Sequence, residues 1–439
     1  MNLINHVRVI GWTGATKIPP LVYGLAFLFV VIPALPLEEH GRYAIVFSLF
    51  ALITLLNKLL FLTPMIRFAA EPAKHDRMVR AGVQLSLIFY IIVGLAIWLL
   101  APIFSEMMNL QSDHLYFIVF MLAAIFLRET GFCVQQVRYQ MRRIFIMEFI
   151  YYIGASLGFV AMKQMNLLNT ASDVLWVNVV AAGMSSLVAL AFGFGGAKLW
   201  IMARVEDLSA ITRYGITTVG TGFSAFLNYG VDIQLINALS SPSQVAIYNG
   251  AKKVYQIVSS LSQAIALVAM PYTAKLKAER RETELKAAYE KVIGYNTAIL
   301  AMVVLCGWLF ADLFFDVVLG PRYEGSAWLL RLMLLGAPFE GLFIVGGNIL
   351  YGLGAGVSVA LITVGVIAVW VMIALPGVYF LGGAGAAIAL AGSFLFAGVA
   401  IHRSAAKRLG VSVKSIAYRV KINILGFLAD LARRRETKR

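Results

Sequence analysis

The chain has 439 residues, of which 60% are hydrophobic and only 13% charged, and its mean hydropathy is +0.82. A soluble chain carries about 25% charged residues, so a soluble globular domain is excluded and a polytopic membrane protein is indicated. The net charge of +15 does not point to nucleic acid, because the lysines and arginines are spread over many loops and form no single patch.

Crossing a hydrocarbon core of roughly 30 Å takes about 20 apolar residues. About twelve runs of that kind follow one another, near 14–36, 43–63, 82–104, 115–137, 144–162, 174–196, 214–238, 246–270, 292–315, 326–350, 357–377 and 380–402. Each is predicted to be a helix, because a backbone in lipid must satisfy its own polar groups and no run shows the short alternation of a membrane barrel. The first run holds Pro19 and Pro20. It is too long for a cleavable leader and reads as an uncleaved span.

Two stretches echo each other. Leu37-Glu38-Glu39-His40-Gly41-Arg42-Tyr43-Ala44 and Ser241-Pro242-Ser243-Gln244-Val245-Ala246-Ile247-Tyr248-Asn249 each separate one apolar run from the next, and a proline follows each tyrosine at a similar interval, Pro64 and Pro271. The echo predicts a duplicated all-α membrane fold of about twelve transmembrane helices in two six-helix bundles. With an even number of spans per half, the copies enter the membrane in the same direction, as a parallel internal repeat. The expected organisation is an N-terminal bundle over 1–200, a cytoplasmic linker at 201–213, a C-terminal bundle over 214–402 and a basic amphipathic cytoplasmic tail over 403–439. In that tail Val413, Ile416, Val420 and Ile424 recur at helical spacing among Lys414, Arg419 and Lys421. This pattern reads as an interfacial helix drawn to anionic lipid.

Loop charges set the orientation, since short cytoplasmic loops hold the basic excess. One side carries Arg67, Lys74, Arg77 and Arg80, then Arg138, Arg142 and Arg143, then Lys198, Arg204 and Arg213, then Lys275, Lys277, Arg280 and Arg281. The other carries few cations, Arg42, Lys163 and Arg322, accompanied by Glu38, Glu39, Glu106, Asp113, Asp173, Asp316 and Glu324. Both termini are therefore expected in the cytoplasm.

Charges inside spans are costly at the bilayer centre unless they meet water or a partner. Lys58, Arg128, Glu129 and Glu148 lie toward the cytoplasmic side, Asp232, Lys252, Lys253 and Arg331 toward the outer side, and Glu340 nearer the middle. A path lined by these cations would attract an anion. Lys58 stands out because no acid lies within its own span. Lys252 and Lys253 are neighbours about 100° apart on a helix, so only one can point straight into a cavity. Arg128, Glu129 and Asp232 are also explained as counter-ions to charges on adjacent helices.

No enzymatic constellation is present in the sequence. The histidines His6, His40, His75, His114 and His402 fall in loops or at span edges, and Cys133 and Cys306 fall within spans, so neither a metal site nor a disulfide framework is expected. Gly352-Leu353-Gly354-Ala355-Gly356 lacks the lysine and hydroxyl residue of a phosphate loop and reads as a turn. Close helix packing accounts for Gly385, Ala389 and Gly392. Without a nucleotide motif, transport would draw on an ion gradient or on the substrate's own gradient.

Several of these stretches resemble the bacterial polysaccharide transporters of the O-antigen flippase type, within the multidrug/oligosaccharidyl-lipid/polysaccharide exporter superfamily. They are Glu38-Glu39 followed by Gly41 and Tyr43; Val245-Ala246-Ile247-Tyr248-Asn249-Gly250-Ala251; Leu319-Gly320-Pro321-Arg322-Tyr323-Glu324 with Leu329-Leu330-Arg331-Leu332; and Gly385-Ala386-Ala387-Ile388-Ala389. The resemblance implies two six-helix bundles in a bacterial inner membrane. It also implies export of an oligosaccharide carried on undecaprenyl diphosphate from inner to outer leaflet, without a cofactor and in company with membrane lipids and glycan polymerase machinery. On this reading Lys58, Arg128, Lys252, Lys253 and Arg331 are candidates to meet the diphosphate, and Glu129, Asp232 and Glu340 to couple transport to protons or sodium. The alternative is an ion-coupled drug or small-molecule antiporter of the same superfamily. Drug-extruding relatives often keep an acid in the first span, and here none lies between Lys17 and Glu38.

Overall fold

The computed structural model describes residues 11–416 except 13, 70, 109, 195–196 and 223–229. Thirteen helices of eight residues or more run through them: α1 (Ile18–Ala34), α2 (Leu37–Ala69), α3 (His75–Met107), α4 (Ser112–Val137), α5 (Met141–Gln164), α6 (Ala171–Phe192), α7 (Val205–Gly222), α8 (Val231–Leu239), α9 (Pro242–Ala278), α10 (Glu282–Val318), α11 (Ser326–Gly352), α12 (Gly356–Leu381) and α13 (Gly383–Leu409). Nine of them are long and apolar enough to cross a membrane. The first predicted span is the shorter α1. The described part of the seventh lies in α7 and α8, and the eighth lies inside α9. The expected all-helical, multi-span fold is therefore present. Most of the expected interfacial tail, residues 417–439, lies outside the described residues.

Helix starts follow local chemistry. Before α6, the Thr170 side chain accepts from the Asp173 N–H while Asp173 accepts from the Thr170 N–H, a reciprocal cap that satisfies two of the helix's orphan donors. Helix α2 begins directly after Pro36. Glu38 and Glu39 stand in its first turn, where the helix dipole favours acids, and both pair with Arg42 one turn on. The glycine-rich stretch after α11 is a turn, as expected, with Gly354 at φ +72°, a conformation that glycine adopts without steric cost.

Two compact units emerge from the packing. The first comprises Met1–Lys253 and Phe315–Glu324, the second Val254–Phe314 and Gly325–Arg439. In the first, Phe61, Leu62 and Met65 of α2 are buried with Val79 of α3, Val134 of α4 and Ile211 of α7. In the second, Tyr289 and Ile293 of α10 are buried with Val345 and Ile349 of α11 and Ile401 of α13. Glycines allow the closest crossings. A Cβ on Gly385 would fall 1.9 Å from the Gly377 carbonyl, so α12 and α13 touch backbone to backbone.

Candidate functional site

Helix α2 loses its regular pitch where the sequence places a lysine inside a span. Residues Lys58–Leu62 form a π-helical turn, a feature that concentrates at functional sites. Lys58 heads that turn with an exposed side chain, while Asn57, just before it, is fully buried with neither amide atom in a hydrogen bond. Helix α7 crosses the turn so closely that a Cβ on Gly215 would lie 1.9 Å from the Leu60 carbonyl oxygen.

Three charges from neighbouring helices gather near this turn. On α4, Glu129 accepts a hydrogen bond from the Tyr90 hydroxyl of α3 at 2.6 Å. Its neighbour Arg128 is buried and donates to Glu148 of α5 at 2.5 Å. The Arg128 guanidinium also lies 4.4 Å from the ring centre of Tyr151 and 5.5 Å from that of Tyr152, where each ring's negative face attracts it. One donor is left over. The Arg128 Nε–H is buried without an acceptor, a costly state unless another group arrives to accept from it.

At α8 and α9 the arrangement is tighter. Lys252 and Asp232 are 3% and 1% exposed, and the ammonium meets both carboxylate oxygens at 2.7 and 2.8 Å. The Tyr248 hydroxyl also donates to Asp232. Lys253 leaves the helix in another direction and holds its ammonium 5.4 Å from the Phe27 ring centre and 6.0 Å from that of Phe47. Of the two neighbours, one is sealed in an ion pair and the other rests on aromatic faces.

Sequence reasoning gave no role to a third cluster. His40 is fully buried, with one ring nitrogen 2.8 Å from the Tyr323 hydroxyl and the other 3.0 Å from the Asn249 amide. Arg322, next to that tyrosine, donates to the carbonyls of Pro33 and Leu35. His40, Asn249, Arg322 and Tyr323 lie in stretches singled out as echo or family motif. The signal available was that three short motifs, far apart in sequence, each carried a polar residue beside a turn.

In the second unit, Glu340 of α11 is 1% exposed and accepts from the Tyr255 and Ser259 hydroxyls of α9 at 2.7 and 2.8 Å. Arg331 donates to both oxygens of Asp312 at 3.1 and 2.5 Å and to the Trp308 carbonyl. The structure thus joins Arg128 to Glu148 and Glu129 to Tyr90, sets Lys58 exposed at the π-helical turn, pairs Lys252 with Asp232, and gives Arg331 and Glu340 partners of their own. Among the described residues, no three His, Cys, Asp or Glu side chains converge on one point.

Solved structures share this fold. It is similar to that of transporters described as members of the MOP superfamily. It resembles an inward-facing multidrug resistance MATE family transporter of that superfamily, at 15% identity and a TM-score of 0.75 over 91% of this chain and 98% of the other. It is also similar to the lipid II flippase MurJ in an inward closed conformation, at 12% identity and a TM-score of 0.73 over 96% and 93%. A further similar structure is a MOP superfamily transporter from Pyrococcus furiosus, at 16% identity and a TM-score of 0.63 over 93% and 96%. No curated protein matches the sequence. The model of the polysaccharide biosynthesis protein family matches residues 35–328, and the chain belongs to that family.

Proposed function

We propose that this protein is a flippase that moves a lipid-linked oligosaccharide, carried on undecaprenyl diphosphate, from the inner to the outer leaflet of a bacterial inner membrane. A diphosphate head bearing sugars cannot enter hydrocarbon unaided, because desolvating its charges costs more than any single contact returns. The observation that carries the reading is the cluster of two cations and two carboxylates inside the membrane-spanning part of the first unit. Lys58 stands exposed at the π-helical turn, and Arg128 beside it keeps a buried donor without an acceptor. In this proposal both meet the diphosphate, Lys253 and the ion-paired Lys252 serve later in its passage, and Arg331 serves from the second unit. Glu129, Asp232 and Glu340 are the candidates for coupling to protons or sodium, with alternating access as the mechanism. The bundles over 1–200 and 214–402 are the proposed repeats, with both termini in the cytoplasm and the product passed to glycan polymerase machinery.

The experiment is Lys58→Ala in cells that depend on the protein for surface glycan. Surface display should be lost while the protein stays in the membrane at its normal level. Normal display would remove Lys58 from the path. The likeness in fold to a multidrug resistance transporter motivates the rival reading, which would win if deleting the protein altered drug sensitivity and left surface glycan untouched.

A further inference from the structure

The connection between α6 and α7 holds an arrangement that the charged clusters above do not use. Phe194 and Ala197 are buried in the same core as Ile211. Gln84 of α3 grips the turn that follows, donating to the Leu199 and Ile201 carbonyls at 3.0 and 2.8 Å and accepting from the Ala203 N–H at 2.9 Å. Farther on, Arg77 donates twice to Asp207. The backbone is therefore pinned at three places, yet the large apolar side chains between them face outward. Trp200, Met202 and Val205 are 82%, 83% and 80% exposed. A segment tied this firmly forgoes the burial of three apolar side chains, which is costly in water and favourable at the boundary between headgroups and acyl chains.

Cations flank this apolar tip. Lys198, Arg204 and Arg213 are exposed, and the Arg67 guanidinium lies 4.1 Å from the ring centre of Tyr214. None of the four forms an ion pair among the described residues, whereas Arg77 has taken Asp207. An open groove of about 540 Å³ runs along α7 between Phe68 and Tyr214, with Arg213 and Thr217 on its wall and Glu206 as its carboxylate. The groove thus sets Arg213 beside one carboxylate, Arg67 lies on the ring of its Tyr214, and Lys198 and Arg204 stand exposed in the connection that carries the apolar tip. Free phosphate would leave the apolar tip unused.

We propose that this face is a binding site for anionic phospholipid of the surrounding leaflet. The phosphate sits in the groove against Arg67 and Arg213, and Trp200, Met202 and Val205 enter the acyl boundary, with Lys198 and Arg204 at headgroup level. Each cation near an anionic surface strengthens lipid binding by about fivefold. The test reads retained phospholipid at Arg67 and Arg213, which are not among the residues proposed to meet the transported lipid, so it does not depend on what the protein transports.

The test reconstitutes the full-length protein in an equal mixture of phosphatidylglycerol and phosphatidylcholine and measures the lipid retained on purification by mass spectrometry. Wild type should retain phosphatidylglycerol preferentially, and Arg67→Gln with Arg213→Gln should reduce the preference by about fivefold per cation removed. The melting temperature of that double variant in phosphatidylcholine alone should match wild type, so that lost preference is not lost fold. A spin label at Trp200→Cys, with Cys133 and Cys306 replaced by serine or alanine, should be reached by oxygen dissolved in lipid and shielded from a water-soluble relaxation agent. Inorganic phosphate should not displace the retained lipid. Equal retention of the two lipids, a preference that survives both substitutions, or a label in bulk water would overturn the proposal. Displacement by undecaprenyl phosphate in preference to phosphatidylglycerol would also overturn it, by placing the groove on the path of a prenyl lipid.

Discussion

Lys252 and Lys253 are adjacent in sequence, yet one lies in an ion pair at 2.7 Å and the other over two phenyl rings. The sequence shows that neighbours on a helix diverge by about 100°. It does not show which of them meets Asp232, because that pairing is made by the packing of α8 on α9. Breaking a buried pair from one side strands a charge and costs about 3–5 kcal/mol, whereas replacing both partners by apolar residues is often neutral. Lys252→Ala and Asp232→Asn are therefore each expected to lower the melting temperature in detergent, and Lys252→Met with Asp232→Leu to restore it. Transport by the restored double variant would make the pair a structural brace. Loss of transport at normal stability would keep these residues among the substrate and coupling groups. Arg128 and Arg331 tell a similar story, since burial and depth singled them out while Glu148 and Asp312, their partners, are set by helix contacts. His40 went unassigned for the opposite reason. A lone histidine at a span edge carries no spacing signal, and its meaning comes only from Tyr323 and Asn249.

Helices were the most legible elements, because a long apolar run in lipid has one way to satisfy its backbone. Their ends were less so. Helix α2 continues beyond the predicted 43–63 on both sides, to Leu37 and Ala69, since a helix in water keeps its hydrogen bonds when its side chains turn polar. The π-helical turn at Lys58 has no signature in hydropathy, and neither does the left-handed Gly230, at φ +113°, that starts α8 within the seventh run. Glycines, in contrast, could be read. Gly385 was expected at a close crossing, and its missing Cβ is what lets α13 meet Gly377 of α12. Gly385→Val should force the two backbones apart, costing at least the 1–3 kcal/mol typical of overpacking. Gly392→Ala, whose Cβ would meet only the end of the Ile373 side chain at 3.0 Å, should cost less. Melting followed by size-exclusion chromatography distinguishes the two variants, and equal behaviour would refute the crossing as the cause.

At the scale of the whole chain, the distribution of charge and the duplication make one prediction together. The net charge of +15 is concentrated in the loops that follow even-numbered spans, and short cytoplasmic loops hold such an excess because moving lysine and arginine across the membrane is unfavourable. If each half enters the membrane in the same direction, the echoing stretches at Tyr43 and Tyr248 start helices on the same face, and the connection at Arg204 must lie on the opposite one. Single cysteines at Gln111, Asn169 and Ser241 should therefore react with a membrane-impermeant maleimide in intact cells. Cysteines at Tyr139, Arg204 and Arg280 should react only after the membrane is opened. The background cysteines Cys133 and Cys306 are replaced by serine or alanine beforehand. Labelling of Ser241→Cys from the same side as Arg204→Cys would break the parallel repeat, because an odd number of crossings must separate them. Labelling of all six positions in the reverse sense would leave the repeat intact and overturn only the orientation read from the loop charges.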